Sequence, residues 1–164
     1  MKAMHQVYLG LGTNLGDRLE NLHHAVQALA PELKKMQTSS IYETEPWGFT
    51  DQPAFYNMVV SGETEISPDD LLTFLKTIEE DLGRLPSFRY GPRLIDVDIL
   101  FFDDLIMKSE RLEIPHPRIP ERAFVLVPLV ELNPNLIHPE KHQTCKELLD
   151  RLDTKSVKFV QTFP

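Results

Sequence analysis

Apolar and polar positions change period several times along the 164-residue chain, and each change marks an element. Gln6 to Gly12 reads as a strand, followed by a helix from about Arg18 to Leu29 in which Leu19, Leu22, Val26 and Leu29 share one face. Asp17 is placed to cap it. Lys35 to Tyr42 reads as a second strand and Phe55 to Glu65 as a third, with a loop from Glu43 to Pro53 between them. Ser67, Pro68 and Asp70 mark the start of a helix that Leu71, Leu72, Leu75 and Ile78 carry to Leu82, and Gly83 ends it. Ile95 to Phe102 is the next strand. A short hairpin toward Leu112, a Pro-rich loop from Ile114 to Pro120 and a short helix around Arg122 to Leu132 follow. Thr144 and Glu147 form a capping-box pair for a last helix, before a final strand near Val157 to Val160.

The order β-α-β-β-α-β predicts an α+β fold with a ferredoxin-like βαββαβ core, a mainly antiparallel sheet flanked by helices, and C-terminal additions. With 41% hydrophobic content, the chain can bury one core, and residues 1–164 read as a single domain. No apolar run is long enough to span a bilayer and no charged and then apolar leader opens the chain, which predicts a cytoplasmic protein. Cys145 is the only cysteine; it excludes an internal disulfide and reads as structural.

Candidate chemistry centres on the run GPRLIDVDILFF at residues 91 to 102, which sets two carboxylates in an apolar strand. Alternation puts Asp96 and Asp98 on one face and Ile95, Val97 and Ile99 on the other. Two acids this close resist desolvation unless a cation holds them, and oxygen ligands favour Mg²⁺, Mn²⁺ or Ca²⁺ over zinc. On these two residues alone, a metal site and a strand edge whose acids face water stand level. Arg84, Arg89, Arg93, Arg111, Arg118 and Arg122 shift the balance, because Arg grips phosphate oxygens bidentately. The chain as a whole is acidic, with a formal net charge of −8. An Arg cluster in such a protein points to a small polyanion and not to a nucleic-acid track. Gly10, Gly12 and Gly16 are spaced GxGxxxG, which is not the dinucleotide fingerprint, and no Walker motif is present. These glycines read as serving the turn after the first strand.

GRLPSFRYGPRLIDVDILFF, IPHPRIPERAFVLVPL and YETEPWGFTDQPAFYNMVV, with VYLGLGTNLGDR near the N-terminus, together resemble the 6-hydroxymethyl-7,8-dihydropterin pyrophosphokinase family of folate biosynthesis. The resemblance covers residues 6 to about 138 and implies pyrophosphate transfer from ATP to the pterin hydroxymethyl group, with release of AMP. It implies two Mg²⁺ ions bridged by Asp96 and Asp98, with Arg84 and Arg93 stabilising the transferring group. For the pterin it implies Phe55 and Phe124 as stacking faces, the Asn57 amide on the ring edge, and the backbone of Thr44, Pro46 and Trp47 completing that edge. For ATP it implies Leu72, Lys76, Glu79, Arg84, Tyr90, Arg93, Ile99, Arg111, Leu112, His116, Arg118 and Arg122. Pro86, Tyr90, Phe55, Pro117 and Lys76 depart from residues common in the family at those positions. ATP and the pterin are the partners expected, with no nucleic acid and no membrane, for a chain acting as a monomer. A non-catalytic pterin- or nucleotide-binding module of the same fold is the alternative, and a metal-dependent nuclease is opposed by the acidic balance.

Overall fold

The computed structural model describes residues 3–46, 51–83 and 94–164. In chain order the elements are β1 (His5–Thr13), α1 (Arg18–Leu29), β2 (Lys34–Thr38), β3 (Ile41–Thr44), β4 (Phe55–Thr64), α2 (Pro68–Asp81) and β5 (Asp96–Phe102). A small hairpin follows, β6 (Met107–Lys108) and β7 (Glu113–Ile114), then a 3₁₀ turn at Ile119–Glu121 and α3 (Ala123–Leu132). The chain ends with β8 (Ile137–His138), β9 (Gln143–Thr144), α4 (Cys145–Leu149) and β10 (Lys158–Gln161).

Local chemistry sets the helix starts. The Asp17 carboxylate accepts the Glu20 N–H at 3.1 Å and Ser67 Oγ accepts the Asp70 N–H at 3.2 Å, each satisfying a helix donor that has no intrahelical partner. Thr144 and Glu147 form the reciprocal capping box expected for α4. Gly16 at φ +69° and Gly83 at φ +87° occupy the left-handed region, which glycine enters without a Cβ clash.

The main sheet runs β10-β3-β4-β1-β5, with β2 also paired to β4, and every pairing is antiparallel. That is the ferredoxin-like order with β10 added at one edge. Period-two alternation gives the sheet two apolar faces. Val7, Leu9, Leu11, Met58, Val60, Val97 and Ile99 pack with Leu22, Leu29, Leu71 and Leu75 of α1 and α2. Tyr8, Val59, Leu100 and Phe101 pack on the other face with Ile119, Leu126, Leu129 and Leu148. Leu100 and Phe101 are consecutive yet share a face, because the β1–β5 register shifts between Tyr8 and Leu9 and leaves Leu100 as the extra residue of a bulge. No helix among the described residues is long and apolar enough to cross a membrane.

Two expectations change. The strand expected from Lys35 to Tyr42 is broken into β2 and β3 at Ser39 and Ser40. Glu131 of α3 is the cause: both its carboxylate oxygens accept the Ser40 N–H at 3.0 Å, and it also takes Ser40 Oγ and the Tyr42 hydroxyl. A charged acceptor draws that N–H out of the ladder, and pairing with β4 resumes one residue out of step, from Thr38↔Val60 to Tyr42↔Asn57. The β8–β9 hairpin, which carries no strong strand pattern, was not expected.

Gly62 of β4 lies against Leu33, where a Cβ would stand 2.6 Å from Leu33 Cγ and 3.0 Å from the Lys34 carbonyl. Gly62→Ala should therefore destabilise the protein by about 1–3 kcal/mol through overpacking. Urea denaturation reads this directly, and an unchanged midpoint would contradict it.

Candidate active site

β1 lies between β4 and β5, so its register sets what meets across the sheet. Gly12 pairs with Asn57 on one side and Asp96 on the other, and Gly10 pairs with Val59 and Asp98. Residues in one such row project from the same face. Two strand spacings, roughly 10 Å, separate Asn57 from Asp96, and between them the glycine leaves only backbone. Gly10 and Gly12, expected in the turn after the first strand, are thus strand residues that form a bare floor; Gly16 alone serves the turn. A Cβ on Gly12 would stand 3.1 Å from Asn57 Oδ1.

Over this floor lies a cleft of about 130 Å³, to which His116, Ile119, Arg122, Phe124 and Val125 also contribute walls. Thr44, Phe55, Asn57, Asp96, Asp98, Leu100, His116, Arg122 and Phe124 line it. Phe55 and Phe124 supply aromatic surface, and the Arg122 guanidinium sits 5.5 Å from the Phe124 ring centroid. Asn57 is 8% exposed and its Nδ2 donates to Thr44 Oγ1 at 2.7 Å. With the amide nitrogen committed to Thr44, Oδ1 is the atom turned toward Gly12 and the cleft. The cleft therefore offers flat apolar walls and a fixed acceptor, the combination that orients a small aminated heterocycle.

Asp96 is half-buried and Asp98 exposed, both open to the cleft, while Ile95, Val97 and Ile99 are buried on the helix side as the alternation predicts. Among the described residues no third His, Cys, Asp or Glu joins them in a metal-binding group. A two-carboxylate donor set fits Mg²⁺, which keeps several waters and takes its other ligands from substrate phosphates. It would not make a structural zinc site.

The Leu100 bulge positions His116. The Leu100 carbonyl accepts the His116 N–H at 3.0 Å, which fixes the loop backbone against β5. His116 Nδ1 then accepts the Arg118 N–H at 3.2 Å, so the proton of the neutral ring is on Nε2, a donor for an anion. Burial lowers the His116 pKa below its ordinary value; Asp98 and Glu113 oppose that, while the Arg122 and Arg118 charges reinforce it.

Eight of the residues implied for ATP fall in two groups. His116 and Arg122 line the cleft. Leu72, Lys76, Glu79, Ile99, Arg111 and Leu112 gather around α2, β5 and the β6–β7 hairpin. There Arg111 donates to Thr73 Oγ1 at 2.7 Å and lies 3.6 Å from Asp69. The Ile99 side chain is in the helix-side core, with Leu72 and Leu112 packed against it, so Ile99 offers a ligand its backbone only. Arg118 pairs with Glu121 at 3.2 Å. Pro46 is buried at the start of the loop after β3. Trp47, Arg84, Arg89, Tyr90 and Arg93, and Pro86 among the departures, lie outside the described residues. Sequence reasoning missed the glycine floor, whose signal was present in LGLG: leucines on one face of a strand leave glycines on the other.

An antiparallel α+β sheet that brings paired carboxylates, His116 and Arg122 to an aromatic cleft defines a small-molecule enzyme of the phosphate-handling kind. A family model described as 7,8-dihydro-6-hydroxymethylpterin-pyrophosphokinase (HPPK) matches residues 8–134, and the chain belongs to this family. It is 42% identical over 160 residues to the 2-amino-4-hydroxy-6-hydroxymethyldihydropteridine pyrophosphokinase of Methylorubrum extorquens, covering 96% of this chain and 100% of the relative. It is 44% identical over 142 residues to the folic acid synthesis protein FOL1 of Dictyostelium discoideum, covering 87% of this chain but only 22% of that longer relative. A Plasmodium falciparum HPPK-DHPS structure with pterin and p-hydrobenzoate superposes with a TM-score of 0.74 at 19% identity, covering 92% of this chain and 45% of that one. At that identity the likeness is one of fold.

Because burial dominates at His116, its protonated form should predominate only at a pH below the ordinary imidazole value of about 6.5. Side-chain ¹⁵N NMR at pH 6.5 should show Nε2 protonated and Nδ1 bare. A ring already half-charged at that pH would contradict the assignment.

Proposed function

We propose that the chain transfers pyrophosphate from ATP to the hydroxymethyl oxygen of 6-hydroxymethyl-7,8-dihydropterin, releasing AMP, in folate biosynthesis. The row Asn57, Gly12 and Asp96 supports this most: a fixed acceptor on one side of a bare floor, an acid on the other. The pterin ring lies on that floor between Phe55 and Phe124, with its amino edge on Asn57 Oδ1 and on the backbone of Thr44, Pro46 and Trp47. Its hydroxymethyl arm then reaches toward Asp96 and Asp98.

The alcohol oxygen attacks the β-phosphorus of ATP in line, the bond from that phosphorus to the α–β bridging oxygen breaks, and AMP leaves with the oxygen. The alcohol proton passes to solvent. Asp96 and Asp98 would hold Mg²⁺, which when bound neutralises charge on the triphosphate. His116 donates from Nε2 to a phosphate oxygen, and Arg122 binds phosphate at the cleft mouth, with Arg84, Arg93 and Arg118 on the same polyanion. Leu72, Lys76, Tyr90, Ile99, Arg111 and Leu112 form the nucleotide side, and Glu79 flanks it. No strong general base is needed, and positioning carries most of the rate.

The net charge of −8 argues against a nucleic-acid partner. Cys145 is a buried free thiol whose pKa burial pushes up to about 12, which makes it unreactive and consistent with a reducing cytoplasm. We assign the activity to one domain over residues 1–164, acting as a monomer.

Purified protein given Mg²⁺, ATP and the pterin should form AMP only when the pterin is present. Asp96→Ala and Asp98→Ala should each lower kcat by about a hundredfold or more. ADP in place of AMP, or activity untouched by either substitution, would contradict the proposal.

A further inference from the structure

Glu79 is 2% exposed, and so buried a carboxylate is costly unless its oxygens are engaged. Its Oε2 accepts the backbone N–H of Val97 at 2.9 Å, and Oε1 lies 3.3 Å from Lys76 Nζ. Val97 is the residue between Asp96 and Asp98. Among the described residues β5 is an edge strand of the sheet, paired only with β1, and in an antiparallel ladder alternate residues turn their N–H away from the partner strand. Glu79 satisfies one such outward N–H at the midpoint of the carboxylate pair. The Val97 side chain, 1% exposed, is locked into the helix-side core beneath it.

We infer that Glu79 is a positioning residue for the carboxylate pair, clamping the β5 backbone from α2 so that Asp96 and Asp98 hold a fixed spacing and direction. The inference rests on the reading of those two acids as the cation-holding pair. Glu79 acts on the carboxylate pair through the Val97 N–H. A charged acceptor makes the stronger bond to a backbone N–H, and the neighbouring Lys76 balances the charge. Outer partners of this kind tune metal affinity by about 10- to 100-fold in metal sites generally.

Two substitutions separate this role from direct contact: Glu79→Gln keeps an acceptor oxygen for Val97, and Glu79→Leu removes it. Val97 amide exchange is read by NMR in the metal-free protein, and Mn²⁺ binding by EPR with a non-hydrolysable ATP analogue. In Glu79→Leu, exchange should quicken and Mn²⁺ affinity should fall, each by about tenfold or more, with kcat falling too and the pterin KM unchanged. Glu79→Gln should stay within about threefold of the parent in both. A Gln variant that loses Mn²⁺ affinity tenfold, or a Leu variant with parental affinity, would overturn the inference. Should Glu79→Leu fail to fold, the Gln variant decides alone: protected Val97 with parental affinity upholds the clamp. Exchange and Mn²⁺ binding need no turnover, so a parent that forms no AMP would sink the functional proposal and leave this one decided.

Discussion

The antiparallel pairing of β1 between β4 and β5 is the constraint on which the rest depends. Side chains alternate with period two, so a slip of one residue would turn Leu9 and Leu11 into the cleft and the glycines into the helix-side core. Nine paired positions with β4, from His5↔Thr64 to Thr13↔Tyr56, hold that register without interruption. The β5 side is regular from Asp96 to Ile99, and only beyond it does the bulge at Leu100 re-aim the chain. That single irregularity adds an apolar wall to the cleft and supplies the carbonyl that holds His116.

Polar groups buried around this frame share one device: a side chain from a helix or turn takes a backbone group that the sheet leaves unpaired. Glu79 does this for Val97 and Glu131 for Ser40. The Tyr42 hydroxyl also donates to Glu131 at 2.6 Å; burial first, and then that carboxylate, raise its pKa, so it stays a donor at any physiological pH. Arg18 latches the loop that follows β3. Its Nη1 donates to Glu43 Oε2 at 3.0 Å before the loop and to the Ala54 carbonyl at 2.9 Å after it, with the guanidinium 3.9 Å from the Tyr56 ring centroid. Both ends of the segment proposed to hold the pterin edge are therefore tied to α1. A fixed frame of this kind suits a reaction in which orientation supplies much of the rate.

Strong local signals were legible in the chain. Asp17, Ser67 and Thr144 announced their helices by capping chemistry, and IDVDI announced a strand with acids on one face. What the sequence hid was tertiary. Ser39 and Ser40 look like strand residues until Glu131, ninety-one positions from Ser40, takes the amide. Glu79 looks like one more acid on a helix until its neighbour proves to be Val97. The glycines of LGLG suggested a turn because glycine is commonest there, whereas in the fold they are the site's floor. Ile99 carries no sign in the sequence that, with its side chain in the core, only its backbone is left for a ligand. In each case the deciding partner lies far along the chain, where periodicity carries no information.

The central claim is that the cleft over Gly10 and Gly12 is where the pterin sits. Titrating ¹⁵N-labelled protein with oxidised 6-hydroxymethylpterin and following amide shifts tests it most directly. Shifts concentrated at Gly10, Gly12, Asn57 and Phe124, with α1 and the β8–β9 hairpin unmoved, are the predicted result. Saturable shifts centred elsewhere, with Gly12 and Asn57 still, would contradict the account.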